Sequence, residues 1–192
     1  MGQNDQGLRA GKTRYQAIPR VLIFLRNGQD VLLLKGAPSK RIWANLYNGV
    51  GGHVEVGEDI HTAARRELRE ETGLETDALT LRAIVNIDAG DPVLGILMFV
   101  FTGWCTQRKM VDSFEGKLEW IPSNQLPLAE LVEDLPWLLP RVLDKDSSEQ
   151  PLYLHYSYDS SDNLMIRYGD RTWTRHSEKE SFVINDNPLP ES

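Results

Sequence analysis

The chain has 192 residues and a formal net charge of −7, a length that suits one domain with modest extensions and a substantial core. The acidic balance argues against a nucleic-acid polymer as partner, which calls for a basic face, but leaves a polyphosphate ligand open, because carboxylates hold divalent cations and a bound cation inverts the local field. The longest apolar run, Val93 to Phe101, is far too short to span a bilayer. The polar N-terminus lacks the apolar segment of a secretory signal, and a lone cysteine, Cys105, excludes an internal disulfide or a cysteine metal cluster. The expectation is a cytoplasmic protein away from membranes, monomeric or homodimeric.

Residues 1–17 are polar and without periodicity, and read as a flexible arm. Arg20 to Leu25 and Val31 to Leu34 are apolar runs flanking a turn at Gly28, a β-hairpin pattern. Lys35 to Tyr47 reads as a loop, followed by the glycine-rich passage Asn48 to Gly52. Asp59 to Thr72 is the clearest helix, with Glu58 and Asp59 suited to its N-terminus and Gly73 to the left-handed position that ends it. Leu79 to Ile87 and Gly95 to Cys105 read as strands, with Cys105 a small apolar filler. Glu119 to Ile121 is a short strand stopped by Pro122. Glu133 to Leu143 reads as a helix despite Pro136 and Pro140. Leu152 to Tyr158 and Leu164 to Tyr168 alternate around a polar turn, a second hairpin. The pattern predicts an arm over 1–17, a main domain over 18–145, a C-terminal β-hairpin extension over 146–175 and a loose polar tail over 176–192.

The helix carries the chemistry. At about 100° per residue, Ile60, Ala63, Ala64 and Leu68 share an inward side, and Thr62, Arg65 and Arg69 fall opposite. Glu67 and Glu71 land within the apolar arc, and Glu70 at its edge. Inward carboxylates lose solvation. An i,i+4 pair of like charges costs roughly 0.2–0.5 kcal/mol even when exposed, and the last helical turn disfavours anions. A cation bound among them offsets all three, and hard oxygen ligands suit Mg²⁺ or Mn²⁺. Gly49, Gly51 and Gly52 allow close backbone approach, while Lys35, Lys40 and Arg41 are placed to meet phosphate oxygens. Without that cation the helix is an acidic face partnered by Arg65, Arg66 and Arg69. The residues alone point to metal-assisted phosphate chemistry.

Residues Gly52 to Leu74 resemble the Nudix box, G-x5-E-x7-R-E-U-x-E-E-x-G-U with U aliphatic. Its fixed positions are met by Gly52, Glu58, Arg66, Glu67, Leu68, Glu70, Glu71, Gly73 and Leu74. The resemblance implies an α+β fold, a Nudix α/β/α sandwich around a mixed β-sheet, and divalent-metal-dependent hydrolysis of a nucleoside diphosphate linked to another group. It implies Glu67, Glu70 and Glu71 as metal ligands, joined by a carbonyl of Gly51 or Gly52. Arg66 would orient a carboxylate such as Glu58. A later-loop glutamate, Glu115 first and Glu119 second, would be a further ligand or base, and the base stays open among Glu67, Glu70 and Glu115.

The segment Trp43 to Gly52 is similar to the stretch before the box in MutT-like diphosphatases of oxidised purine nucleoside triphosphates, where an asparagine at the place of Asn48 meets the base. Glu133 and Asp134, followed by Trp137, resemble that group's purine-reading acidic pair, although the pair here is Glu-Asp and two prolines alter the helix. With Lys35 for phosphate, these are the expected substrate-binding residues. The expected product pair is a nucleoside monophosphate and pyrophosphate. ADP-ribose, dinucleoside polyphosphates and nucleotide sugars are alternative substrates, and a non-catalytic nucleotide sensor or an isoprenoid-diphosphate isomerase are alternative roles.

Overall fold

The structure, a computed structural model, describes residues 14–111, 113–144, 150–175 and 181–185. The first strand, β1 (Gln16–Asn27), alternates its side chains between two cores. Val21, Ile23 and Leu25 face one, and Leu22 and Phe24 face the other. A strand buried on both faces calls for a layer on each side, and helices supply both. α1 (Ile60–Thr72) covers the first face through Ala63, Ala64 and Leu68, and α2 (Leu135–Leu143) covers the second through Leu135, Leu138, Leu139 and Val142. The expected α/β/α sandwich is present.

The sheet is mixed and, among the described residues, has ten strands. β1 runs parallel to β5 (Leu94–Trp104), which pairs antiparallel with β4 (Leu79–Ile87). On its other side β1 meets β2 (Asp30–Gly36) only at the turn, through Arg26 opposite Val31 and Asn27 opposite Asp30. The two strands then diverge, so the expected hairpin is short. The segment after the loop fills the gap. β3 (Tyr47–Asn48) lies on β2, and Val50 to His53 lies along β1. This wedge sets the glycine passage at the centre of the molecule. The far edge of β2 carries β6 (Gly116–Pro122), longer than the sequence pattern suggests.

α1 begins where expected. The Asp59 carboxylate accepts from the His61 and Thr62 amides at 2.8 and 3.0 Å, and Gly73 closes the helix at φ 70°. Leu68 is fully buried beneath the sheet, so truncating it to alanine costs about 2–5 kcal/mol. α2 starts at Leu135, two residues after the expected boundary. Pro136 sits in its first turn, where no amide is needed.

Three boundary expectations need correction. β1 starts at Gln16, inside the stretch read as an arm, because Gln16 to Ile18 pair with Leu94 to Ile96. The C-terminal extension is more than a hairpin. β7 (Leu152–Tyr158) pairs parallel with β4, and β8 (Leu164–Tyr168) and β9 (Arg171–Arg175) continue the sheet. Leu154, Tyr156, Leu164, Ile166 and Trp173 share the core of α2, with the Trp173 ring 5.2 Å from that of Trp137. Finally, β10 (Phe182–Asn185) falls inside the stretch read as a polar tail and pairs with β9. The rest of that tail and residues 1–13 of the arm lie outside the described residues.

Candidate active site

α1 delivers its glutamates to the glycine passage. The Glu67 carboxylate packs against Gly52 so closely that a Cβ there would stand 2.4 Å from Oε1. Gly51, one residue earlier, has φ 154°, and a Cβ on it would meet the Val21 carbonyl at 2.1 Å. Only glycine fits at Gly51, against backbone, whereas a side chain at Gly52 would have to push the Glu67 carboxylate aside. The Gly51 amide donates to Glu71 Oε2 at 3.4 Å. The Gly52 carbonyl accepts from the Val21 amide at 2.9 Å, so of the two expected carbonyl ligands it is the one already engaged along β1.

Arg66 organises the acids. Its guanidinium forks onto Glu58, with Nη2 to Oε1 at 2.7 Å and Nε to Oε2 at 3.2 Å. Nη1 donates to Glu67 at 2.9 Å and to Glu70 at 3.2 Å, and Nη2 also donates to the His53 carbonyl at 2.9 Å. These partners hold Arg66 firmly protonated and keep Glu58 below its ordinary carboxylate range, the Arg66 bond first. Burial pushes Glu67 up. Burial, reinforced by Glu115 and Glu67, pushes Glu71 up to about 8. A carboxyl so placed is short of positive charge, which is the condition a divalent cation relieves.

Glu115, at the turn before β6, reaches this group: it contributes to the upward push on Glu71 and pairs with Lys40 at 2.5 Å. Glu119, the second choice, is engaged elsewhere, accepting from Tyr47 Oη at 3.1 Å and Lys117 at 2.9 Å. As placed, no three acidic, histidine or cysteine side chains among the described residues converge on one ion. Glu70 is drawn to Arg66 and Glu115 to Lys40. The donor set nevertheless suits a hard divalent cation, since Glu67 and Glu71 are mostly buried oxygen donors flanking two glycines.

A cleft of about 250 Å³ opens beside these glycines. Asn48, Gly51, Gly52 and Glu115 line it, as the sequence suggests, together with Lys40. Lys35 does not. It pairs with Glu130 and lies over the Tyr47 ring. Glu133 and Asp134 are also off the cleft wall. Tyr158 Oη donates to Glu133 at 3.0 Å. Asp134 is 8% exposed, and burial pushes its carboxyl up to about 7. The chain does bring this pair near Asn48, because Tyr47 bridges to Leu131 in parallel.

The NUDIX domain profile matches residues 17–142, about two thirds of the chain. The chain belongs to the Nudix family. It is a hydrolase of phosphorus-containing anhydrides, in a family that acts on nucleotide diphosphate linkages and generally uses divalent metal ions. It is 29% identical over 145 residues to an oxidized purine nucleoside triphosphate hydrolase of Mus musculus, covering 75% of this chain and 88% of that protein. A protein of the same description from Danio rerio is 33% identical over 117 residues, covering 59% and 72%. The structure superposes on a MutT protein from Bacillus halodurans with a TM-score of 0.63 at 24% identity, over 89% of this chain and 99% of that one. This last likeness speaks for the fold.

Within this Nudix fold, Trp43, Met98 and Arg20 line the cleft unannounced by the sequence reading. Trp43 adopts φ 61°, which costs a non-glycine residue about 1–2 kcal/mol, and such strain gathers where a loop has a task. Its signal in the sequence was only an aromatic in a loop. Met98 and Arg20 are cross-strand neighbours on β5 and β1, a parallel pairing that the local pattern does not reveal.

Proposed function

We propose that the protein hydrolyses the α–β diphosphate linkage of a purine nucleoside triphosphate, oxidised forms included, to a nucleoside monophosphate and pyrophosphate, with Mg²⁺ or Mn²⁺ as cofactor. The observation that carries this reading is the pair of mostly buried carboxylates, Glu67 and Glu71, packed on Gly51 and Gly52 at the side of an open cleft.

Glu67, Glu70 and Glu71 would hold the metal with the Gly51 carbonyl. A divalent cation there would neutralise diphosphate oxygens and lower the pKa of a water. Arg66 fixes Glu67 and Glu70 and is itself aimed by Glu58. Glu67, Glu70 or Glu115 takes the proton of the attacking water. That water forms a bond to one phosphorus of the anhydride as the bridging oxygen departs with the other phosphoryl group. Lys40 lines the cleft, where it holds Glu115. Trp43 offers a stacking face and Asn48 an amide to the purine. The relatives described as oxidized purine nucleoside triphosphate hydrolases support the purine assignment.

The test is a phosphate and pyrophosphate release screen with Mg²⁺, Mn²⁺ or EDTA. It would cover canonical and oxidised nucleoside triphosphates, ADP-ribose, dinucleoside polyphosphates and nucleotide sugars. The reading expects metal-dependent pyrophosphate from a purine triphosphate. Preferred turnover of ADP-ribose or a nucleotide sugar would replace the substrate, and silence with saturable nucleotide binding would replace the enzyme by a sensor.

A further inference from the structure

One cation in the cleft has no carboxylate to neutralise it among the described residues. Arg20 lines the cleft, and its Nε is buried without a hydrogen-bond partner. The other basic groups nearby are spent: Lys40 on Glu115, Lys35 on Glu130, and Arg66 on Glu58, Glu67 and Glu70. Among the described residues no carboxylate lies within ion-pair distance of Arg20. A buried donor left unmade is costly and calls for a reason. In a chain of net charge −7, leaving a guanidinium unpaired beside so many acids is a further oddity.

The position of Arg20 says what would pair it. The segment Val50 to His53 runs antiparallel along β1, with Ile23 opposite Val50 and Arg20 opposite His53. Arg20 therefore stands at the Gly52 end of the cleft, next to the glycine that packs on Glu67. Asn48 lies further back along the same segment. An amide at one end suits a base. A guanidinium fork at the other, beside the acids that hold the cation, suits phosphate oxygens.

We propose that Arg20 binds a phosphate oxygen of the nucleotide's diphosphate chain and so fixes the substrate along the cleft. The proposal rests on the reading that this cleft takes a nucleotide. The ligand supplies the partner that the fold withholds, and the interaction anchors the phosphates without touching the base.

The experiment compares wild type, Arg20→Gln and Arg20→Lys. Steady-state turnover is measured on a purine nucleoside triphosphate. Inorganic pyrophosphate with Mg²⁺ and deoxyguanosine serve as binding probes in calorimetry and as inhibitors. Arg20→Gln is expected to raise KM and weaken pyrophosphate binding about tenfold, the range of one charge-assisted contact. The unfolding temperature, kcat and deoxyguanosine binding should hold. Arg20→Lys, which keeps the charge and loses the fork, should fall between, and it still reads the contact if Arg20→Gln does not fold. Unchanged pyrophosphate binding in both variants overturns the proposal while leaving hydrolysis intact. An equal loss of deoxyguanosine binding also overturns it, in favour of a base contact. Pyrophosphate binding needs no turnover, so a chain that hydrolyses nothing yet loses pyrophosphate in Arg20→Gln overturns the hydrolase reading and not this one.

Discussion

The Glu67 carboxylate occupies the space that a side chain at Gly52 would need, with a would-be Cβ 2.4 Å from Oε1. The helix and the glycine passage are thus fitted to each other at the place where the acids gather. Gly52→Ala is expected to displace Glu67 by an ångström or so and cut kcat by about 10²-fold, the usual penalty for misplacing a reacting group. The fold should survive, because the colliding atoms are the end of a side chain. Circular dichroism beside steady-state kinetics checks this.

Glu71 is a mostly buried carboxylate with acids around it and one long amide contact. Glu71→Gln should therefore raise the unfolding temperature of the metal-free protein while lowering turnover at least about 10²-fold, as loss of a transition-state contact does. Mg²⁺ should raise the unfolding temperature of wild type and not of this variant. Thermal unfolding with Mg²⁺ and with EDTA reads both effects.

Arg66 serves three carboxylates and a carbonyl. Arg66→Ala leaves Glu58 and Glu67 without their main partner. A lower unfolding temperature and a lost metal response are both expected. Arg66→Lys should recover part of the stability and little activity, because an ammonium has no planar fork.

Asp134 gives a pH prediction outside the acidic group. Burial raises its carboxyl from the ordinary aspartate value to about 7. The unfolded chain ionises first, so the fold is favoured at low pH and progressively penalised as pH rises from about 4 to 7. Tyr156, whose hydroxyl lies beside Asp134, draws the carboxyl down only in part, and burial outweighs it. Asp134→Asn should flatten the fall in stability across that window, as followed by denaturant unfolding at several pH values.

Much of this was legible in the chain. Helical spacing alone put Glu67 and Glu71 on the inward arc of α1, and both are mostly buried there. Asp59 and Gly73 bound the helix as their chemistry dictates. The reading failed where pairing is non-local. β9 carries Arg171, Thr172, Thr174 and Arg175 around a single Trp173 and shows no apolar face, yet it is held by β8 and by the Trp137 contact. β10 was passed over because its apolar run, Phe182 to Ile184, is only three residues long within a polar stretch. Lys35 was assigned to the cleft by type and Asp134 by resemblance, but the pairing of Glu130 with the first and the closing of Tyr156 over the second are tertiary facts. Arg20 went unremarked because a lone arginine on a strand has no meaning until its lack of partners is seen.

The central claim is that the acids on α1 run metal-dependent hydrolysis of a nucleotide diphosphate. Pyrophosphate release from a purine nucleoside triphosphate, by wild type and Glu71→Gln with Mg²⁺ or EDTA, tests it most directly. The account predicts release by wild type with Mg²⁺ alone, and near-silence in the other three conditions. Equal release with EDTA, or from folded Glu71→Gln with Mg²⁺, would contradict it.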